Sequence, residues 1–163
     1  MQKIAQFMKV SRARFEADWN FNLPCPWEDI ILPRRATVGS AGYDIYSPLD
    51  FSLAPEEIIE IPTGLRVKIE PGWVLTLYPR SGQGFKYRVQ LYNSVGVIDS
   101  DYFGADNEGH IRVKIVNANT EGKVLHVKKG EAFAQGIFLP FGITVDDEAS
   151  AIRSGGFGST TRK

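Results

Sequence analysis

From about residue 29 onward, apolar side chains return at every second position in short runs, and this spacing restricts the chain more than any other feature. Leu65-Arg66-Val67-Lys68-Ile69 and Ile111-Arg112-Val113-Lys114-Ile115 show it most plainly. A period of two puts alternate side chains on opposite faces of an extended strand, one face dry and the other wet. Further strands are expected over 73–78, 87–92, 95–98, 124–127 and 132–139. Pro71-Gly72, Ser81-Gly82, Lys129-Gly130 and the polar stretch 104–109 supply the turns between them. Many short strands with almost no helical period predict an all-β fold, a sandwich or jelly roll, rather than alternating strands and helices. One helix is expected near Val10 to Trp19, where Val10, Phe15 and Trp19 share a face.

A chain of 163 residues is the size of one domain and long enough to bury a core without staples. No internal repeat or composition shift divides it. Nineteen basic residues balance nineteen acidic ones, so no global field draws the chain to nucleic acid or to a membrane surface. Any anion it binds must be held by a local site. Cys25 is the single cysteine, which leaves no intrachain disulfide and fits a reduced, cytoplasmic setting. The N-terminus lacks the apolar core of a signal peptide, and no apolar run reaches the length of a membrane span. The glycine-rich end, residues 153–163, reads as a flexible arm.

Five segments carry groups suited to chemistry. Ala41-Gly42-Tyr43-Asp44 sets an acid at a strand start, where an ordinary turn would also accommodate it. Pro79-Arg80-Ser81-Gly82 follows a strand; a tight turn there can aim a guanidinium, a hydroxyl and backbone N–H groups at a phosphate, or simply leave an arginine on the surface. Asn93 to Tyr102 flanks an apolar strand with an amide on one side and Asp99, Asp101 and an aromatic on the other. A carboxylate fixed at a strand end can hold and deprotonate a water, though two acids can equally cap a hairpin. The glycine and glutamate of a calcium loop do not follow. Gln135 interrupts an apolar strand and must find a partner in the core or in a ligand. In the arm, Phe157 stands among glycines with Arg153 before it and Ser159, Thr160 and Thr161 after it: a lid that stacks on a base, or a disordered tail. His110 and His126 show neither nucleophile nor metal-ligand spacing.

In this order, AGYDI, PRSG, NSVGVIDSDY, AFAQ and RSGGFGSTT resemble the five motifs of the trimeric dUTPase family, from about Leu32 to Thr161. The resemblance implies a distorted β jelly roll, a homotrimer with active sites at subunit boundaries, and Mg²⁺-assisted hydrolysis of dUTP to dUMP and pyrophosphate. It implies that Arg80, Ser81, Gly82 and Gln135 grip the triphosphate, and that Asp44 orients Arg80 and outer-shell water. Asn93 and the backbone of Gly96, Val97 and Ile98 would read uracil, with Tyr102 against the sugar where a 2′-hydroxyl would not fit. Asp99 would activate water, and Arg153, Phe157, Gly158, Ser159 and Thr160 would close over the nucleotide from another subunit. Mg²⁺ would ride on triphosphate oxygens and water rather than in a carboxylate cage.

Three departures stand out. Ala132 replaces the arginine usual in the fourth motif, Gln83-Gly84 replaces an apolar continuation of the second, and Phe103 to His110 replaces a short Arg-Gly after Tyr102. The loop Gly104 to His110 is expected to alter closure or to serve a regulatory protein partner. Residues 1–31 lie outside the shared region, with packing or subunit contact as their expected role. A dCTP deaminase of the same fold and a nucleotide-responsive binding protein are the competing readings.

Overall fold

The computed structural model describes residues 1–151 together with Arg153 and Gly155. In chain order the strands are β1 (Ala5–Lys9), β2 (Arg34–Arg35), β3 (Tyr43–Tyr46), β4 (Phe51–Leu53), β5 (Ile58–Pro62), β6 (Leu65–Ile69), β7 (Trp73–Pro79), β8 (Val89–Leu91), β9 (Gly96–Ile98), β10 (Arg112–Asn117), β11 (Leu125–Val127) and β12 (Ala132–Pro140). Two short α-helices, α1 (Arg12–Asp18) and α2 (Ser81–Tyr87), and 3₁₀ turns at Trp27–Asp29 and Ser100–Gly104 complete the described elements.

All pairings are antiparallel. The largest sheet has the order β2-β3-β12-β7-β9; β5-β10-β8 form a second, and β1-β6 and β11-β4 pair separately. Neighbours in the sheets come from distant parts of the sequence, as in a jelly roll. The period of two emerges as burial: β10 alternates half-buried and buried residues, with Val113, Ile115 and Asn117 inward. Ile45, Ile61, Leu75, Ile115 and Phe133 are the fully enclosed centre of one core.

The N-terminal segment joins that core. β1 adds to β6, with Phe7 opposite Val67, and Phe7 packs against Tyr43 and Phe138. Ser11 caps α1 by accepting from the Arg14 N–H, and Phe15 is completely buried one turn later. Val10 and Ile30 lie in the same cluster.

The expected strand over 87–92 is shorter, because Tyr87 ends α2 and pairing begins at Val89. The expected tight turn at Ser81-Gly82 is likewise the opening of this helix. Two glycines in a seven-residue helix oppose it intrinsically. Its ends hold it instead: Gly84 N–H donates to the Arg80 carbonyl, and Arg88, in the left-handed region, closes it with bonds to Gln83 and Gly84 carbonyls.

Candidate active site

Cross-strand register builds the first cluster. Gln135 of β12 lies opposite Asp44 of β3 on one side and Tyr78 of β7 on the other, so their side chains share one face of the sheet. Arg80, just past β7, brings Nε to 3.2 Å from Asp44 Oδ1. Gln135 donates from Nε2 to the Pro79 carbonyl at 3.0 Å. Its Oε1 packs so closely on Gly42 that a Cβ there would stand only 2.5 Å away, so Gly42 must stay a glycine for the amide to keep this pose. Ser81 and Gly82 follow, in the first helical turn, where backbone N–H groups have no intrahelical acceptor. The structure thus brings together Asp44, Arg80, Gln135, Ser81 and Gly82.

A second cluster surrounds β9. Asn93, Gly96, Val97 and Ile98 line a cleft of about 450 Å³ together with Leu77, Leu91, Tyr92 and Val113. Glu60, Arg112 and Lys114 edge it; Arg112 Nη2 pairs with Glu60 Oε1 at 2.7 Å, and Lys114 lies 4.4 Å from the centre of the Tyr92 ring. Directly after β9, Asp99 and Asp101 present half-exposed carboxylates. Arg153 reaches both of them, with Nη2 2.6 Å from Asp99 Oδ2 and Nε 2.9 Å from Asp101 Oδ1.

Tyr102 is only 4% exposed, and its hydroxyl donates to the His110 carbonyl at 2.8 Å while accepting from Asn107 Nδ2 at 2.8 Å. Burial pushes its phenol above the ordinary value. The ring is therefore a wall of the fold, and Arg153 stands over it at 5.8 Å.

Asp99 and Arg80 lie toward opposite ends of β7. Ile98 is opposite Leu75 and Gly96 opposite Leu77, so Asp99 continues from the Leu75 end whereas Arg80 continues from Pro79. The climb from Leu75 to Arg80 is on the order of 17 Å at a strand's rise per residue.

The loop after Tyr102 turns inward. Glu108 accepts from the N–H and hydroxyl of Ser11, Asn107 from the Gly109 N–H, and Phe103 lies beneath the Arg66 guanidinium at 3.7 Å. Within this loop Ala105, Gly109 and His110 are buried, whereas Gly104 and Asp106 are exposed. His110 is buried, while His126 bonds Ser52 across the β4–β11 pair. Phe157, Gly158, Ser159 and Thr160 lie outside the described residues. Among the described residues there is no group of three or more His, Cys, Asp or Glu arranged to hold a metal ion, and no helix is long and apolar enough to cross a membrane.

Sequence reasoning missed Glu60, Leu91, Tyr92, Arg112, Val113 and Lys114 at the cleft. Lys114 faces Glu60 only through the β5–β10 register, which a lone sequence does not disclose.

The fold is jelly-roll-like, with one polar cluster suited to phosphate oxygens and a cleft ended by two acids. The family model described as dUTPase matches residues 28–161, and the chain belongs to that family. Deoxyuridine 5'-triphosphate nucleotidohydrolase of Lactococcus lactis is 46% identical over 134 residues, covering 80% of this chain and 88% of its own. The protein of the same name from Tolumonas auensis is 42% identical over 139 residues, covering 80% and 87%. Among solved structures, dUTPase from Streptococcus mutans superposes with a TM-score of 0.65 at 32% identity, over 86% of this chain and 98% of that one. A mutant dUTPase from phage phi11 of S. aureus, whose structure details the coordination of a structural Mg(II) ion, has a TM-score of 0.64 at 20% identity, over 91% and 98%; at that identity it shares the fold.

Proposed function

We propose that this chain hydrolyses dUTP to dUMP and pyrophosphate by in-line attack of water on the α-phosphorus, limiting uracil incorporation into DNA and supplying dUMP for thymidylate synthesis. The observation that carries the reading is the pair of complementary half-sites. One presents a guanidinium oriented by a carboxylate, an amide and a helix opening, which suit phosphate oxygens. The other presents a cleft ended by two acids, which suits a nucleoside with a water beside its innermost phosphate.

In one chain Asp99 and Arg80 are too far apart to act on one phosphate, since reacting groups must approach to roughly 3–3.5 Å. A neighbouring copy supplies the missing half, and a closed ring of three gives every site both halves. Exposed apolar residues beyond β12, Ile143 at 75% and Phe141 at 50%, support cover by another copy.

In the assembled site, Arg80, Ser81, Gly82 and Gln135 hold the triphosphate and Asp44 fixes the Arg80 guanidinium. The cleft backbone at Gly96, Val97 and Ile98, with Asn93, pairs with the uracil edge, and a cytosine there would leave buried groups unpaired. Tyr102 supplies a rigid wall near the sugar. Asp99 orients the water and takes its proton; Arg153 exchanges from the two acids to phosphate as the arm, with Phe157, Gly158, Ser159 and Thr160, closes. Asp44 and the acids after β9 would accept hydrogen bonds from the waters of a Mg²⁺ ion, which would offset the charge of the triphosphate oxygens.

The test is pyrophosphate release from each common nucleoside triphosphate, with and without Mg²⁺. Wild type should act on dUTP alone. Asp99→Asn should still bind dUTP and lose turnover by about a hundredfold or more. An Asp99→Asn protein with full activity removes that residue from its role, and release of ammonia from dCTP would mark a deaminase instead.

A further inference from the structure

The loop at 103–110 and the N-terminal segment, the two parts that depart most from the family pattern, meet at a buried histidine. His110 is wholly enclosed, with the Phe15 ring edge-on at 5.9 Å. Its Nε2 receives the Gly64 N–H at 2.8 Å, and its Nδ1 lies 2.6 Å from Asp18 Oδ2. A backbone N–H can only donate, so Nε2 carries no proton and Nδ1–H donates to Asp18. The ring is neutral, in one tautomer, and links α1 to the turn between β5 and β6.

The same residue holds the segment just after β9 through its backbone, in a series of hydrogen bonds. The His110 carbonyl accepts the Tyr102 hydroxyl, and the Tyr102 N–H donates to the Asp99 carbonyl at 3.2 Å. Gly109, at φ +68°, passes so near that a Cβ would stand 2.6 Å from the Tyr102 carbonyl oxygen. Glu108 adds a second tie to the N-terminal segment through Ser11.

We infer that His110, fixed by Asp18 and Gly64, is the clasp through which the N-terminal segment positions Tyr102 and Asp99, and that it works only as the neutral ring. This rests on the reading of Asp99 given above. A proton added at Nε2 would face the Gly64 N–H, donor against donor, inside the core. Burial lowers the affinity of His110 for that proton, Arg112 and Arg14 lower it further, and Asp18 opposes them; the net direction is downward from the usual histidine value. The clasp's contribution is therefore complete above about pH 6.5 and is lost as pH falls through the folded value.

The experiment uses the full-length protein and has two arms. In the first, dUTP hydrolysis with Mg²⁺ is followed from about pH 8 to 5 for wild type and His110→Gln, which can accept the Gly64 N–H and cannot titrate there. Wild-type kcat should fall on the order of tenfold through an acid step, with KM little changed. The Gln variant should lack that step while keeping turnover near neutrality. An unaltered acid limb in His110→Gln overturns the inference.

The second arm titrates wild type by NMR. The His110 ring and the Gly64, Tyr102 and Asp99 amides should move with one midpoint, shifted by Asp18→Asn. Tyr102 and Asp99 amides indifferent to the His110 titration would overturn the inference whether or not the Gln variant folds. A wild-type protein that releases no pyrophosphate at any pH would sink the functional reading, while this second arm still decides whether the clasp couples to the loop.

Discussion

Tyr102 carries an expected role and an observed place that bear on each other. The resemblance sets its ring against a sugar, while the structure puts the ring at 4% exposure with its hydroxyl bonded to His110 and Asn107. Truncation to alanine would open a core cavity and confound any test of selectivity. Tyr102→Phe keeps the ring and removes the hydroxyl. It should lower stability by about 1–3 kcal/mol, because the buried His110 carbonyl loses its donor. The preference for dUTP over UTP should stay within a factor of about two if the ring alone forms the wall. Denaturant unfolding and kcat/KM for the two nucleotides measure both; a collapse of the preference would show that the hydroxyl itself reads the sugar. Asp44 was legible as an acid at a strand start, Arg80 as a guanidinium just past a strand and Gln135 as a polar interruption of one. Their convergence was not, because it depends on β3, β12 and β7 being neighbours.

At the scale of elements, the apolar pattern marked β6, β7 and β12 closely: β6 alternates with one face in the core, while β7 and β12 each bury three successive residues and read as apolar runs. α2 escaped because its glycines and its exposed Phe85, at 94%, give no amphipathic stripe, and its stability comes from its ends. β1 escaped because nothing in its own five residues announces β6 as partner. Of the two roles expected for the N-terminal segment, packing or subunit contact, the fold displays packing: the segment inserts Phe15 into the core and bonds the loop after Tyr102 through Ser11 and Asp18. Phe15→Ala should therefore cost about 3–5 kcal/mol, and the loss should appear in urea or thermal unfolding. A change under about 0.5 kcal/mol, typical of surface sites, would mean that the segment merely rests on the domain.

For the molecule as a whole, the separation of Asp99 from Arg80 along β7 makes a solitary chain an incomplete catalyst under the proposed mechanism. Closure by neighbouring copies is the claim on which the mechanism depends, and it can be tested without assuming the geometry of the bound nucleotide. Asp99→Asn and Arg80→Ala each disable a different half, so each alone should be nearly inactive. Co-refolded in equal amounts, random mixing into threefold rings leaves about a quarter of all sites with both halves intact. The account predicts that the mixture regains dUTP hydrolysis near that fraction of wild type; a mixture no more active than its two parents would contradict it.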